Sequence, residues 1–294
     1  TIGGQSIGID LGASTVSGTY KVTATAGNII DSGVLVIDGI ATVLASTTSD
    51  QDITLNLNNN FKSGIRLEGR NVVVKVASSA SLILGASSGT STITGYLKAR
   101  GTGNAVTDGG ALSVAGTTRI TATGQNVTFD HPSSNLQGPL KILGANVSVT
   151  HPYAIELGDS TITGTYAVQT TTGNITDSES HGTLDVAGNA AFTTDASDAD
   201  IRLDSTTNGF GGTVTVNPAG AAGLDDAEIH GGSEPLQIIA SGGVGTLKLT
   251  TTGSIAPITD ADALVVSGTT TIDADRSDVT LDHSSSNLQG AVGA

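Results

Sequence analysis

The stretch Val127–Gly138 reads VTFDHPSSNLQG, and Val279–Gly290 reads VTLDHSSSNLQG. Two looser versions exist, ITLNLNNNFKSG from Ile53 and IRLDSTTNGFGG from Ile201. The four copies thus start at Ile53, Val127, Ile201 and Val279, an almost even spacing. A second phrase keeps step with the first: VLVIDG from Val34, ALSVAG from Ala111, TLDVAG from Thr183 and ALVVSG from Ala263. A third is Gly27-Asn28-Ile29, Gly103-Asn104-Ala105, Gly173-Asn174-Ile175 and Gly253-Ser254-Ile255. The order of the three never changes. The chain is therefore built from about four imperfect repeats of about 75 residues, and an internal period of this kind decides the fold class.

Within a repeat the grain is finer. Runs such as YKVTAT, DITLNL, NVVVKV and SLILG alternate apolar and polar residues over four to six positions, the period of a strand with one buried face. Val, Ile and Thr suit a pleated surface. Gly, Asn, Asp and Ser between the runs suit bends and positive φ. No run shows a capped helical stripe. The chain reads as all-β, and a right-handed parallel β-helix accounts for it best. The expectation is one continuous β-solenoid over residues 1–294, roughly 12–16 coils of about 18–25 residues, forming a rod of roughly 60–75 Å at strand spacing. The alternative is a string of four small β-sandwiches. That period is short for an immunoglobulin-like unit of about 100 residues with a buried aromatic.

Composition narrows the function. Only 3% of the 294 residues are aromatic and 13% are charged, against 40 Gly. Such a core has to be aliphatic. The 12 Lys and Arg are scattered singly along the sequence and face 27 Asp and Glu, giving a net charge of −15. This argues against nucleic acid, whose phosphates need clustered bases. No Cys is present, so disulfides and thiolate chemistry are excluded. No apolar run reaches the roughly 20 residues of a membrane span, so membrane insertion is not expected. The chain has no Met and starts Thr1-Ile2-Gly3-Gly4. IDLGASTVSGTYKVTATAGNI from Ile9 aligns with IELGDSTITGTYAVQTTTGNI from Ile155, so the chain opens near the end of one repeat. It closes partway through another. A segment of a longer or processed chain is expected.

The phrases G-N-I, L-x-V-x-G-T-T-x-I and V-T-L-D…N-L-Q-G resemble those of the filamentous-haemagglutinin-like β-helical stalks of very large bacterial surface proteins, two-partner-secreted and autotransported adhesins among them. The resemblance covers most of the chain. It implies an extracellular or cell-surface rod of adhesin type, with no catalytic residues in the shaft and a host-cell or glycan receptor as partner.

Candidate chemistry is sparse. Asp130-His131 and Asp282-His283, with the serines that follow, invite a hydrolase reading. Neighbouring strand residues point to opposite faces, however, and the other two repeats place Asn56-Leu57 and Asp204-Ser205 there. The plainer reading is a polar bend followed by a core plug, formed by Asn60 and Phe61, Asn135 and Leu136, Asn208 and Phe210, and Asn287 and Leu288. A polysaccharide-degrading or carbohydrate-binding β-helix is the alternative function. It wants carboxylates gathered with bases and aromatic platforms, and the nearest approach is Asp195, Asp198 and Asp200 with Arg202. No cofactor is expected. The sequence allows calcium at two acidic turns, one holding Asp195, Asp198 and Asp200 and the other Asp273, Asp275 and Asp278. Calcium takes six to eight oxygens on such loops, but the glycine-rich nonapeptide of calcium-binding solenoids is missing. The five His show no zinc spacing. Sequons at Asn126, Asn146 and Asn174 are expected from Thr-rich strands alone. The function expected is structural. The partner expected is the chain itself, through continuation or end-to-end stacking, because open coil ends expose unpaired edges.

Overall fold

The computed structural model describes residues 8–46, 50–85, 89–178, 182–218 and 223–293. Among these residues there is no helix; the elements are strands, most of them two to five residues long. Their side chains alternate in and out. Val72–Val76 buries Val72, Val74 and Val76 and turns Val73 and Lys75 outward. Leu97–Gly101 and Ala190–Thr194 repeat the pattern. β-Branched residues favour this backbone, and the Gly, Asn and Ser between runs break it at each corner.

The described strand pairs run parallel. This excludes tandem sandwiches, which are held by antiparallel ladders. The chain divides into two units, Thr1–Ala145 and Asn146–Ala294. In the first, Ile9, Ile29, Ile53, Val72, Leu97, Thr118 and Leu140 are successive register partners. Each step is one turn of the chain, the shortest from Ile53 to Val72 and the longest from Val72 to Leu97. In the second unit, Ile155, Ile175, Ile201, Ala227, Leu247, Thr270 and Val292 make the same series. The fold is a parallel β-solenoid of about twelve stacked turns.

The core is the column of side chains inside each stack. In the first unit Val74, Ala99, Ile120 and Ile142 lie one over the next, each buried. In the second, Val149, Val168, Phe192 and Val216 do so. Coil spacing of about 4.8 Å brings such side chains into contact along the axis, so narrow aliphatic residues suffice and aromatics are dispensable.

Several strands exceed the four to six residues of the sequence pattern, Leu224–His230 and Ile258–Val266 among them, and two others show where register shifts. Ile53–Phe61 has nine residues and Leu236–Thr250 has fifteen. Each carries register shifts, between Leu55 and Asn59 in one and across Ile238, Ala240 and Val244 in the other. Gly242 and Gly243, both at positive φ, let the longer strand turn a corner, its pairing broken between Ala240 and Val244 and resumed beyond.

A glycine column marks where successive turns touch backbone to backbone. The second sequence phrase ends on Gly39, Gly116, Gly188 and Gly268. Their N–H groups donate to Gly18, Gly95, Gly164 and Gly245 of the preceding turn at 3.1, 2.8, 2.9 and 2.7 Å. A Cβ at Gly188 would meet the Gly164 carbonyl oxygen at 2.6 Å, and backbone cannot swing aside as a side chain can. Gly188→Ala is expected to destabilise the fold by about 1–3 kcal/mol, the range of overpacking. Gly12→Ala, with no atom within 4 Å of the added methyl, is expected to stay within about 0.5 kcal/mol. Urea unfolding of the two variants side by side checks this.

Candidate functional site

The repeated phrases meet at one hydrogen-bonded latch in each repeat. An Asp that follows the third phrase by a few residues occupies an inward position in its turn. Asp31, Asp108 and Asp177 stand in register with Leu11, Leu84 and Leu157, and Asp260 with Ile238. The first three are buried, and each carboxylate reaches into the corner of the next turn. Asp177 accepts the N–H groups of Asp204 and Ser205 at 3.1 and 2.9 Å and the Asn208 amide at 2.9 Å. Asn208 Oδ1 in turn accepts the Leu184 N–H at 2.8 Å. In the first repeat Asp31 accepts from Asn56, Leu57 and Asn59, and Asn59 accepts from Leu35. In the second Asp108 accepts from Asp130, His131 and the Ser134 hydroxyl, and Ser134 accepts from Leu112. In the fourth Asp260 accepts from Asp282 and His283, and Ser286 accepts from Leu264.

This arrangement gives the opening stretch its meaning. The corner bends away from the sheet, so its N–H groups leave the ladder and need another acceptor. A buried carboxylate offers up to four lone-pair sites and takes two main-chain donors at once. Burial pushes Asp108 and Asp177 above the usual carboxylate range, against the opposing pull of the N–H groups they accept.

The residues singled out from sequence sit around the latch. Phe61, Leu136 and Phe210 are buried, and Leu288 is half-buried. Asn208 is the latch side chain itself, whereas Asn60 and Asn135 are half-buried and Asn287 is exposed. In those three repeats the latch atom comes from the residue before, Asn59, Ser134 or Ser286. His131 Nδ1 accepts the Ser133 N–H at 3.2 Å and His283 Nδ1 accepts the Ser285 N–H at 3.3 Å. Each imidazole thus ties down its own bend. Among the described hydrogen bonds neither meets a serine hydroxyl.

The acidic turns are shaped by backbone demands. Asp50, Gly124, Asp198 and Asp275 have φ of 53°, 68°, 58° and 49°. They lie three, three, three and four residues before the four corner phrases. Gly, and after it Asp and Asn, tolerates this left-handed region. Asp195 accepts from the Gln169 amide, Asp200 from the Asn174 amide, Asp273 from the Asp275 N–H, and Asp275 from the Gly253 N–H. The Asp278 carbonyl accepts the Ile258 N–H. The structure gathers Asp200 with Asp225 and Asp226, their oxygens within 4.8 Å of one another, and leaves the other five candidates outside that group. Burial and the neighbouring charges of Asp225, Asp200 and Glu228 raise the Asp226 carboxyl. Three carboxylates fall short of a calcium shell.

Among the described residues, two histidines are internal. His151 donates through Nδ1 to the Tyr153 carbonyl at 2.9 Å, and His230 Nδ1 accepts the Gly232 N–H at 3.0 Å. Burial lowers both below the usual imidazole value, with Lys248 adding to the effect at His230. The unfolded chain therefore binds protons at these sites before the folded chain does. Their contribution to stability is present above pH of about 6.5 and is lost as pH falls through the lowered values. Thermal midpoints measured from pH 8 to 5 are expected to fall below pH of about 6.5, with both imidazole resonances titrating late.

One face of the first unit is cationic. Lys75 is in register with Arg100, and Lys98 follows Val73 and precedes Arg119 in its own column. The four basic residues line an open groove of about 500 Å³ with Asn56, Val73, Val74, Ala99 and Thr121. The scattered singles of the sequence come together because one turn of the chain separates each from its partner in register. The outward positions of these strands, Val73, Lys75, Lys98, Arg100, Arg119 and Thr121, include no carboxylate. Lys62, Arg66, Arg70, Arg202 and Lys248, elsewhere, each have an acidic partner. Lys98 lies 4.5 Å from the Tyr96 ring centre.

No helix of the described residues is long and apolar enough to cross a membrane. Searches of curated proteins and of solved structures find no match to this chain. A family model matches four times, over residues 1–68, 69–142, 144–217 and 226–294, and each match encloses one complete latch. The chain belongs to that family, described as repeats of unknown function (DUF5649).

Proposed function

We propose that this chain is a structural segment, a spacer or shaft of a secreted or surface-displayed bacterial protein, whose task is to hold length and stiffness. The latch supports this reading most directly. Each family repeat devotes its most recognisable residues to joining one turn to the next. Asp carboxylates, Asn or Ser side chains and main-chain donors are consumed by that joint and are not free for chemistry. The likeness of the phrases to filamentous-haemagglutinin-like stalks supports an extracellular, adhesin-type setting. Parallel coil ends carry unpaired strand edges, so the same chemistry that stacks turns within a chain favours stacking of further turns upon it. Electron microscopy of the purified chain over a concentration series is expected to show linear particles that lengthen end to end. Discrete globules at the highest concentration overturn the proposal.

A further inference from the structure

The groove of the first unit is out of keeping with the rest of the molecule. Residues 1–145 hold 9 of the 12 basic residues against 8 acidic ones, whereas residues 146–294 hold 3 against 19. Like charges directly opposite on adjacent strands are destabilising, yet Lys75 faces Arg100 and Lys98 faces Arg119 across the ladder. Lys98, Arg100 and Arg119 are exposed, and Lys75 is half-buried. No acidic residue on these strands relieves them. Nothing in the fold requires four cations here, because Thr or Asn would cover the same outward positions.

We propose that this face is a binding site for an anionic polysaccharide, lying along the solenoid axis with its acid groups on Lys75, Lys98, Arg100 and Arg119. The inference stands apart from the structural role above. Register sets the cations one coil apart, about 4.8 Å, and two residues apart along each strand, about 6.6 Å. An extended polysaccharide bears its acids one or two rings apart, on the scale of one to two of these steps. Between the cations, the outward side chain of Val73 offers an apolar surface to one edge of a sugar ring. Nucleic acid fits less well. Single strands are held by bases stacked on aromatic faces, and the ring beside the groove, Tyr96, is covered by Lys98. Duplex DNA presents a charge every ~1.7 Å, a density beyond what four cations on a net-negative chain can match.

Affinity electrophoresis of the whole chain tests the proposal, using gels containing polygalacturonate, dextran sulfate or a single-stranded oligothymidylate. At low salt the chain is expected to be retarded by at least one polysaccharide, and the more effective one identifies carboxylate or sulfate as the acid group. The logarithmic salt dependence is expected to reflect about three or four neutralised charges. K98Q/R119Q is expected to weaken retardation at least tenfold while melting no lower than the parent, since a like-charge pair is removed. K62Q is expected to leave retardation unchanged. Unaltered retardation of K98Q/R119Q overturns the proposal, as does absence of retardation by both polysaccharides or stronger retardation by the oligonucleotide.

Discussion

Asp177→Ala is expected to lower the stability of the fold by about 3 kcal/mol, far beyond the loss of one surface charge. The substitution leaves the N–H groups of Asp204 and Ser205 without this acceptor and takes from the Asn208 amide its shorter hydrogen bond, leaving it the 3.4 Å contact to the Leu203 carbonyl. Each unsatisfied buried donor costs about 1–3 kcal/mol, and the two main-chain groups are only partly buried. Asn208 is itself buried and still has to serve Leu184, so its loss of an anchor loosens the second phrase as well as the corner. Asp177→Asn keeps the shape but offers one acceptor oxygen, and turns an NH2 group toward a main-chain donor. An intermediate loss is expected. Asp185→Ala, on the exposed side of the neighbouring strand, serves as the control and is expected to shift by no more than about 0.5 kcal/mol. Urea midpoints at constant m-value decide the comparison. A loss for Asp177→Ala no larger than the control would show that the latch is not what joins the turns.

The charge on that carboxyl has a sign of its own. Burial outweighs the donors and raises Asp177 and Asp108 above the ordinary value. The folded chain then takes up a proton more readily than the unfolded chain. Acidification from above the raised value toward the ordinary one adds stability from these two groups. The loss at His151 and His230 begins at higher pH and opposes this gain as the pH falls further. Carboxyl carbon shifts followed against pH are expected to show both aspartates protonating before the exposed ones.

Much of this was legible in the sequence, and the part that was not has a definite cause. The spacing of VTFDHPSSNLQG and its relatives, with alternation in runs such as NVVVKV, was enough for stacked parallel coils. Phe61, Leu136 and Phe210 could be assigned inward because an apolar residue after a polar bend has nowhere else to go. Asp31, Asp108, Asp177 and Asp260 escaped notice because a carboxylate between apolar residues reads as a solvated turn. Only the stacking reveals that each stands over a leucine or isoleucine with the next corner's donors in front of it. A faint signal was present, since an Asp follows each Gly-Asn-Ile-type phrase within a few residues, at uneven spacing. Asp198 and Asp275 were legible as turn residues, but their kinship to Gly124 rests on a φ sign that no composition rule carries. Lys75, Lys98, Arg100 and Arg119 looked isolated because their partners in register lie a full turn of chain apart. Turns differ in length, as the short step from Ile53 to Val72 and the long one from Ile175 to Ile201 show, so no fixed sequence period aligns them.

Phe192→Ala is expected to cost about 3–5 kcal/mol, the usual range for removing a buried phenylalanine. The chain has four Tyr and four Phe, and three of the eight form one ladder inside the second unit. The Phe192 ring lies between Tyr166 and Phe210, at centroid distances of 5.9 and 6.3 Å in edge-to-face geometry. All three are buried. Deleting the middle ring removes both edge contacts, and its register neighbours Val168 and Val216 are too short to fill the space. Each turn of a solenoid touches only its neighbours, so hydrogen-exchange protection is expected to fall first in Tyr166–Thr170, Ala190–Thr194 and Thr213–Pro218. Tyr166→Phe works in the opposite direction. The Tyr166 hydroxyl is buried near Ser160 without a hydrogen bond of good geometry, so its removal is expected to raise stability by about 1 kcal/mol. Opposite shifts in the two variants identify the ladder as a packed core element with one misplaced polar atom. A Phe192→Ala loss below about 1 kcal/mol, under the range for such a cavity, would mean that the aliphatic columns alone sustain the stack and that these rings are passengers within it.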